Sequence, residues 1–218
     1  QRLMFPSRIV SVLGGGVGLQ NNYSLAFDGS NDYVAIAANA NLYINDNDYS
    51  LSFWFKTNSS EDDYMVGGGD ESDNGFIAVR MRGDYSGVIR TFIRDCSNSK
   101  EVSLNTTTTG LNDNSWHHYL CTFTWSSKTL TVYIDGSSEG TSTNATIVSL
   151  ANSDDGIHIG KRYASTYYYV GNIDEVSIWN KVLSAGDISA LYQARGTANL
   201  NDDGNSANLQ GWWRMGDG

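Results

Sequence analysis

The side chains whose types and spacing suggest a binding surface are tyrosines close to cations and carboxylates. Aromatic rings stack on the C–H faces of sugars, and Asp, Asn and Arg side chains bond to hydroxyl groups, so this mixture is typical of a carbohydrate site. The candidates are Tyr163, Tyr167, Tyr168, Tyr169 and Arg162 in one segment, and Asp63, Tyr64, Asp70, Asp73 and Tyr85 in two others. Closely spaced tyrosines also cover sheet faces, so packing or protein contact is the competing interpretation.

The acidic residues suggest a different kind of site. Asp, Glu and Asn gather in short runs such as 70–74, which reads Asp-Glu-Ser-Asp-Asn. Carboxylate and amide oxygens are the ligands that hard cations prefer, so a run of this kind can hold an ion. Solvated turns are the alternative, because these residue types also favour tight turns.

The overall charge excludes one class of partner. The 218-residue chain has 24 acidic and 14 basic side chains and a net charge of −10, whereas phosphate backbones are bound by clustered Lys and Arg, so we expect no nucleic-acid partner. No apolar stretch approaches the ~20 residues of a bilayer-spanning helix, which predicts no membrane span. Cys96 and Cys121 form neither a CxxC motif nor a Cys/His cluster. The sequence therefore predicts no zinc site and leaves open whether the two cysteines pair.

Short apolar runs with the period of β-strands dominate the chain, and Gly, Asn and Asp turns separate them. This pattern favours an all-β sandwich or jelly roll over alternating strands and helices. The segments 61–74 and 83–86 are predicted as loops that carry part of the tyrosine and aspartate surface. We expect 1–20 to be an arm or linker and 21–195 to be one domain. The remainder, 196–218, is predicted as a polar loop and a strand that closes the sandwich or starts a further module.

One short helix is predicted near 185–193. Ser184 can cap its N-terminus, and Asp187 stands three residues later, as in a capping box. The apolar residues that follow, beginning with Ile188, fall on one face, and Gly196 can end the helix.

Five segments of the sequence carry a family resemblance. They are FDGSNDYV (27–34), LSFWFK (51–56), WHHY (116–119), LTVYIDG (130–136) and, after Ile159-Gly160, GNIDEVSIWNKVLS (171–184). In this order they resemble LamG-like domains, the laminin G and pentraxin-related members of the concanavalin A-like class. The resemblance implies a two-sheet antiparallel jelly-roll sandwich.

The resemblance also implies a structural calcium ion. Members of the family hold Ca²⁺ with the acidic opening turn and the Asp of the IDEV strand, and this sequence has Asp28, Asn31 and Asp174 at those positions. Two distant loops brought together suit Ca²⁺, which takes six to eight oxygens in irregular geometry. Glu175 is expected to point to the opposite face of the strand from Asp174. The alternative is that 28–31 is only a turn and Asp174 caps a strand end.

The sequence contains no recognisable catalytic arrangement. Hydrolases of this family carry the pattern Glu-x-Asp-x-x-Glu, and the nearest match begins at Glu61 but has Val66 where the last acid belongs. His117 and His118 are neighbours in a predicted strand, so they point to opposite faces and cannot easily chelate one ion. The family match makes both histidines structural.

We therefore expect a non-catalytic, lectin-like adhesion module, stabilised by calcium, that recognises glycans on a cell or polymer surface. Its expected location is extracellular, at a cell surface or at a virion surface. The alternative is a structural protein of a virion, such as a phage, or of an extracellular assembly, where it contacts sister subunits or further modules. A glycoside hydrolase or polysaccharide lyase is disfavoured, because such enzymes need a pair of carboxyl groups.

Overall fold

The structure is a computed structural model that describes residues 2–5, 21–68, 76–83, 85–151, 156–162 and 167–216. Within these residues the chain forms fourteen strands and one α-helix. In chain order the strands are β1 (Arg2–Phe5), β2 (Leu25–Asp28), β3 (Tyr33–Ile36), β4 (Tyr49–Lys56), β5 (Asp62–Gly68), β6 (Phe76–Arg82), β7 (Val88–Asp95), β8 (Lys100–Asn105), β9 (His117–Thr124), β10 (Thr129–Ile134), β11 (Ser137–Thr143), β12 (Ile157–Ile159), β13 (Val170–Trp179) and β14 (Leu209–Trp213). The helix α1 spans Ala185–Ala194, and short 3₁₀ turns lie at Ala40–Leu42 and Ser206–Asn208.

Two sheets form a sandwich, each with seven strands in the described part of the chain. Sheet 1 has the order β1-β3-β12-β5-β6-β7-β8. Sheet 2 has the order β11-β10-β9-β4-β13-β14, and β2 also pairs with β13. The strand pairs are antiparallel, except that β1 runs parallel to β3. The predicted all-β, two-sheet jelly-roll sandwich is therefore confirmed.

The main core lies between the two sheets, because alternate residues of each strand point inward. From sheet 2, the rings of Phe53 on β4 and Tyr119 on β9 stack with their centroids 4.8 Å apart, and both side chains are fully buried. From sheet 1, Thr91 on β7 reaches across and its hydroxyl bonds to that of Tyr119. Burying a ring such as Phe53 contributes roughly 1.5–3 kcal/mol. Intervening residues point outward and are available for other contacts.

The helix packs on the outer face of sheet 2 and encloses a second, smaller core. As predicted, Ser184 and Asp187 form a capping box: Ser184 Oγ accepts from the Asp187 N–H at 3.2 Å, and the Asp187 carboxylate accepts from the Ser184 N–H at 2.9 Å. Ile188 of α1 then packs in a cluster with Trp179 on β13 and Trp212 on β14. The helix is thereby fixed by apolar contacts to the strands beneath it.

The adjacent tryptophans near the end of the chain serve both cores. β14 pairs antiparallel with β13. Trp213 is buried in the main core, whereas Trp212 belongs to the cluster under the helix. The alternation of side chains along a strand explains why neighbouring tryptophans face different layers.

The prediction of a loop over 61–74 is wrong for its first half. β5 occupies Asp62–Gly68 and pairs with β6 and β12 in the middle of sheet 1. Its acidic start and its terminal glycines resemble a turn in sequence, and a bulge between Tyr64 and Val66 breaks the period of two. A bulge places one additional residue in the strand, which hides the alternation on which strand prediction depends.

Another strand that was not predicted is β11, which consists mainly of Ser, Thr and Gly and has no apolar run. It forms one edge of sheet 2, and a bulge interrupts its pairing with β10 at Val132. Glu139 in the middle of β11 is buried, and its carboxylate accepts four hydrogen bonds from the backbone and hydroxyl groups of Thr107 and Thr108. This carboxylate ties the edge strand to the segment that follows β8.

Cys96 and Cys121 are not joined by a disulfide bond. Cys121 lies in the main core, where burial raises the pKa of its thiol to about 12. No helix in the described ranges has the length and apolarity to cross a membrane.

Candidate functional site

An open cleft of about 530 Å³ lies on the outer face of sheet 2, beside the C-terminal end of α1. Four aromatic and five polar residues line it: Tyr23, Trp54, Trp116, Tyr192, Asn21, Asn22, Ser24, Asp174 and Arg195. We call it the aromatic cleft. Its lining comes from five separate parts of the chain, namely the segment before β2, β4, the residue before β9, β13 and the end of α1.

Trp54 and Tyr192 form one wall of the aromatic cleft. Phe53 and Phe55 on β4 are fully buried, so the alternation of the strand turns Trp54 outward. Its indole stacks on the Tyr192 ring of α1, with the centroids 5.9 Å apart and the planes 20° from parallel. The helix thus holds the indole in one orientation.

Tyr23 and Trp116 are the exposed aromatic residues of the cleft. Tyr23 is 64% exposed and Trp116 is 41% exposed. Each stands next to the first residues of a strand, Tyr23 before β2 and Trp116 before β9. Apolar surface left in water costs free energy, so large rings that remain exposed in one cleft mark a surface that contacts another molecule.

One side-chain hydrogen bond and two residues in the left-handed backbone conformation position the polar lining. Asn172 on β13 donates a hydrogen bond to Ser24 Oγ at 3.1 Å and so fixes the segment before β2. Arg195 adopts the left-handed conformation that ends α1, with φ of 49°. The next residue, Gly196, has φ of +77°, and a Cβ there would collide with the side chain of Asn21. A glycine at 196 therefore lets the chain before β2 pack against the helix end.

Asp174 is the carboxylate at the base of the cleft, and a bulge in β13 determines how it is presented. The register between β13 and β4 shifts between Asp174 and Ser177, and Glu175 has φ of 51°. Because the bulge inserts one residue, Asp174 and Glu175 both lie on the outer side of sheet 2, where each lines a cavity. The expectation that they point to opposite faces is wrong for this reason.

Glu175 is held beneath the helix, away from the aromatic cleft. Its carboxylate accepts hydrogen bonds from Trp212 Nε1 and from Arg214 Nε. Burial, with a smaller effect from neighbouring Asp174, raises the pKa of Glu175 to about 7. Asp174 itself is 3% exposed and accepts the Glu175 N–H at 2.8 Å.

The two histidines that begin β9 face different surroundings, as predicted. His117 lies between two carboxylates, with Nδ1 2.8 Å from Asp135 and Nε2 3.3 Å from Asp113, and the Asp135 hydrogen bond raises its pKa. His118 lies under the helix with Nε2 2.8 Å from Ser52 Oγ, and burial lowers its pKa to about 4. His118 also contacts the wall of the cleft, since its ring is 5.1 Å from that of Trp54.

The residues expected to hold calcium do not come together. Asp28 pairs with Val170, whereas Asp174 lies four residues further along β13, a separation of about 13 Å at the rise of a strand. Since Ca²⁺ is bound by oxygens at about 2.3–2.6 Å, Asp28 and Asp174 cannot share one ion. The joint site is therefore a wrong prediction. Asn31 lies in the turn after β2, on the side of Asp28, and Asp28 accepts the N–H of Ser30 at 2.8 Å, as in an Asx turn.

In the described ranges no group of three or more His, Cys, Asp or Glu side chains has the geometry to hold a metal ion. Calcium can also use backbone carbonyl oxygens. Calcium binding by the turn 28–32 therefore stays a prediction.

Part of the predicted tyrosine surface does assemble, on the outer face of sheet 1. The rings of Tyr64 and Tyr167 are 6.1 Å apart, and the Arg162 guanidinium lies 5.6 Å from the Tyr64 ring centre. Tyr168 lies nearby against Tyr33. Tyr85 is 60% exposed but belongs to the turn between β6 and β7, where Arg82 covers its ring.

Two residues of that prediction are in the interior and cannot contact a ligand on this surface. Tyr169 is fully buried, and its hydroxyl donates to the Lys56 carbonyl at 3.1 Å. Asp63 is also buried, and burial raises its pKa. Asp63 was expected in a loop, whereas it lies in β5. Tyr169 is the last of three successive tyrosines, and their spacing does not indicate which of them points inward. Tyr163, Asp70 and Asp73 lie outside the described residues.

Sequence reasoning missed the aromatic cleft. Its residues are spread from 21 to 195, and no local spacing connects them. The one available signal was Trp116, a large aromatic residue that precedes a strand and follows the polar segment 112–115.

Residues 28–189 match the family model described as the concanavalin A-like lectin/glucanases superfamily. No curated protein sequence matches the chain. Among solved structures, the binding domain of Paraclostridial Mosquitocidal Protein 1 aligns with 14% identity and a TM-score of 0.67 over 84% of this chain and 47% of that chain.

Two further structures show the same fold. A "putative carbohydrate binding protein" from Bacteroides ovatus ATCC 8483 aligns with 14% identity and a TM-score of 0.67 over 92% of this chain and 53% of that chain. The botulinum neurotoxin serotype D binding domain aligns with 22% identity and a TM-score of 0.57 over 77% of this chain and 41% of that chain. This chain thus spans about half the length of these structures.

Proposed function

The chain belongs to the concanavalin A-like lectin/glucanases superfamily, and we propose that it is a non-catalytic, lectin-like domain that binds glycans in the aromatic cleft. The observation that carries the proposal is the combination of exposed rings and polar groups in one cavity. Tyr23 and Trp116 are exposed beside the fixed pair of Trp54 and Tyr192. The names of the similar structures, which refer to carbohydrate binding and to binding domains, agree with this function.

The chemistry of the lining suits a sugar. The apolar C–H face of a pyranose stacks on an aromatic ring, and its hydroxyl groups need hydrogen-bond donors and acceptors at the edge of that ring. The cleft offers rings from Tyr23 and Trp116, an acceptor in Asp174 and donors in Asn22 and Arg195. A volume of about 530 Å³ is within the usual range of ligand pockets.

Binding without catalysis is favoured by the charges that reach the cleft. Glycosidases place two carboxyl groups roughly 5–10 Å apart across the scissile bond. Asp174 is the one carboxylate among the described lining residues. The neighbouring Glu175 is engaged by Arg214 and Trp212 under the helix.

The role of such a domain is adhesion to glycans on a cell or polymer surface outside the cell. A second candidate, contact with a sister subunit in a virion or extracellular assembly, is favoured by the same exposed rings, because Tyr and Trp are also common in protein interfaces. The two functions differ in what occupies the cleft, and one set of variants separates them.

The test is a glycan-array screen with the full chain, followed by titration of the hits with Trp116→Ala and Tyr23→Ala. Each substitution removes one stacking ring from a surface position, so folding should be retained while the affinity falls by about tenfold or more, equivalent to about 1.4 kcal/mol. Tyr167→Ala is the matched control for neutral glycans, because Tyr167 is 53% exposed but lies beside Tyr64, on the other side of the sandwich.

Loss of affinity in the cleft variants with an unchanged control supports the proposal. If neutral glycans bind less tightly only to Tyr167→Ala, the binding site lies on the outer face of sheet 1 and the proposal is overturned. An array without hits, together with self-association that Trp116→Ala abolishes, would establish the cleft as an interface between copies.

A further inference from the structure

A two-residue turn between β10 and β11 connects to the aromatic cleft from behind. It consists of Asp135 and Gly136, with φ of 50° and 76°, and the paired residues Ile134 and Ser137 close it. Two residues with positive φ between paired strands form a type I′ turn, which fits the twist of a hairpin. Neither residue is among the described residues that line the aromatic cleft.

The carboxylate of Asp135 joins this turn to the start of β9. Its Oδ1 accepts the His118 N–H at 2.8 Å, and its Oδ2 is 2.8 Å from His117 Nδ1. Trp116, an exposed ring of the cleft, is the residue immediately before this pair. One carboxylate therefore fixes both the backbone and a side chain of the residues that follow Trp116.

His117 extends this connection to the segment before Trp116. Its Nε2 is 3.3 Å from Asp113 Oδ1, and the same oxygen accepts the Ser115 N–H at 2.7 Å. Carboxylates only accept hydrogen bonds, so both bonds of the ring form when both of its nitrogens carry a proton. The hydrogen bond to Asp135 raises the pKa of His117 and so favours this charged form. The chain on each side of Trp116 is thus held by one imidazolium.

Gly136 contacts the other wall of the cleft. A Cβ at this position would lie 3.1 Å from Cδ1 of Tyr192 and 3.4 Å from its Cβ and Cγ. A side chain at 136 would therefore require the Tyr192 ring to move by a few tenths of an ångström. Because this ring stacks on Trp54, such a movement would reach the wall of the cleft.

We propose that Asp135 and Gly136 are positioning residues for glycan binding in the aromatic cleft. Asp135 fixes Trp116 through His117, and Gly136 seats the ring of Tyr192. The proposal rests on the glycan-binding function of the cleft. Rings that stack on a sugar must be held at a set distance and angle, and a site with a loose supporting shell loses affinity even when every contact residue is present.

The affinity should then depend on pH through His117. Among the described residues, the charged groups within hydrogen-bond reach of its ring are Asp135 and Asp113, and β4 presents the uncharged ring of Phe55 with the centroids 5.6 Å apart. As the pH rises above about 6.5 and through the raised pKa, His117 loses a proton and one of its two bonds. The wild-type affinity should fall there by about threefold or more, the usual effect of one hydrogen bond.

The test is titration of the full chain with the neutral glycan that binds it most tightly on the array. Asp135→Ala and Gly136→Ala should each weaken binding by about tenfold. Asp48→Ala is the first control, because its carboxylate also accepts a backbone N–H beside β9, that of Trp125, at 3.0 Å. Gly110→Ala is the second, since φ there is +72° and a Cβ meets nothing within 4 Å. Both controls should bind as tightly as the wild type.

A second measurement needs no glycan. Asn-Gly is the preferred pair in a type I′ turn, so Asp135→Asn should fold, and its amide oxygen can still accept the His118 N–H. The NMR signal of the Trp116 indole N–H, identified by its absence in Trp116→Ala, should titrate with His117 in the wild type. The midpoint should be lower in Asp135→Asn, because the amide carries no negative charge. A turn that only stabilises the hairpin would not produce this shift.

Three results would overturn the proposal. The first is equal affinity of Asp135→Ala and Gly136→Ala with their controls Asp48→Ala and Gly110→Ala. The second is a loss of affinity that merely follows the melting temperatures of these variants. The third is an identical midpoint of the Trp116 signal in the wild type and in Asp135→Asn. An array without hits would refute the glycan function alone, and the indole titration would still decide whether Asp135 positions the ring.

Discussion

Acidification should weaken the protein through one buried imidazole, that of His118. Its ring lies under α1, its Nε2 is 2.8 Å from Ser52 Oγ, and its Nδ1 has no hydrogen-bond partner in the described part of the chain. Burial lowers the pKa of His118 to about 4 in the folded protein. In the unfolded chain the value is about 6.5, so between these two values only the unfolded state takes up the proton.

The sign and size of the effect follow from this difference. Because the folded pKa is depressed, stability is full above about pH 6.5 and is lost as the pH falls towards 4. The loss from this one residue works out to about 2 kcal/mol at about pH 5 and about 3 kcal/mol at about pH 4. His118 contacts Trp54 and Tyr192, so the helix and the wall of the aromatic cleft should loosen first.

The assay is urea unfolding of the wild type and of His118→Gln at several pH values between 7.5 and 4.5. Gln can still bond to Ser52 but does not titrate, so the difference in unfolding free energy between the two proteins isolates His118. It should shrink as the pH falls, by about 2 kcal/mol at about pH 5. Other groups, including Glu175, titrate equally in both proteins and cancel.

His117→Gln is the matched control with the opposite sign. The hydrogen bond to Asp135 raises the pKa of His117, so its contribution is present below the unfolded pKa and is lost as the pH rises through the folded one. A difference between wild type and His118→Gln that does not change with pH would refute the assignment of a buried, neutral imidazole.

Three other perturbations have defined outcomes. Asp95→Ala should lower the unfolding free energy by about 3 kcal/mol in urea titrations. The buried carboxylate accepts backbone N–H groups, including that of Val148, and these would be left without a partner. A change below about 1 kcal/mol would contradict this reasoning, and Asp95→Asn is the milder control. Gly160→Ala should destabilise the folded protein by roughly 2 kcal/mol, since φ of Gly160 is +82° and a Cβ there would meet the Phe27 ring. An unchanged melting temperature would show that the Phe27 ring can move away at no cost. If the turn at Asp28 holds calcium, Ca²⁺ should stabilise the protein against heat relative to a chelator, by about 2.7 kcal/mol at a hundredfold excess over Kd. Asp28→Ala should abolish this difference. Identical melting curves with Ca²⁺ and with chelator would contradict the prediction.

The fold was predictable because its signals are local. The capping box at Ser184 and Asp187 lies within four positions, and the helix forms where the sequence predicts it. Prediction failed where a strand departs from alternation or lacks apolar residues. β5 contains a bulge, and β11 consists mainly of Ser, Thr and Gly.

The sites were harder to predict because they depend on register. The pairing of β2 with β13 separates Asp28 from Asp174, and the bulge turns Asp174 and Glu175 to the same side. Neither fact is encoded in residue spacing along one segment. Tyr64, Tyr167 and Arg162 come from separate segments and do lie together, and their role in ligand binding stays a prediction.

The polar edge strand β11 also affects how the protein behaves in concentrated solution. An edge strand presents unpaired backbone groups on which a strand of another molecule can add, and this is a common start of aggregation. β11 offers such a strand few apolar contacts, and the bulge opposite Val132 distorts the hydrogen-bonding ladder. These features oppose the addition of a further strand at this edge of sheet 2.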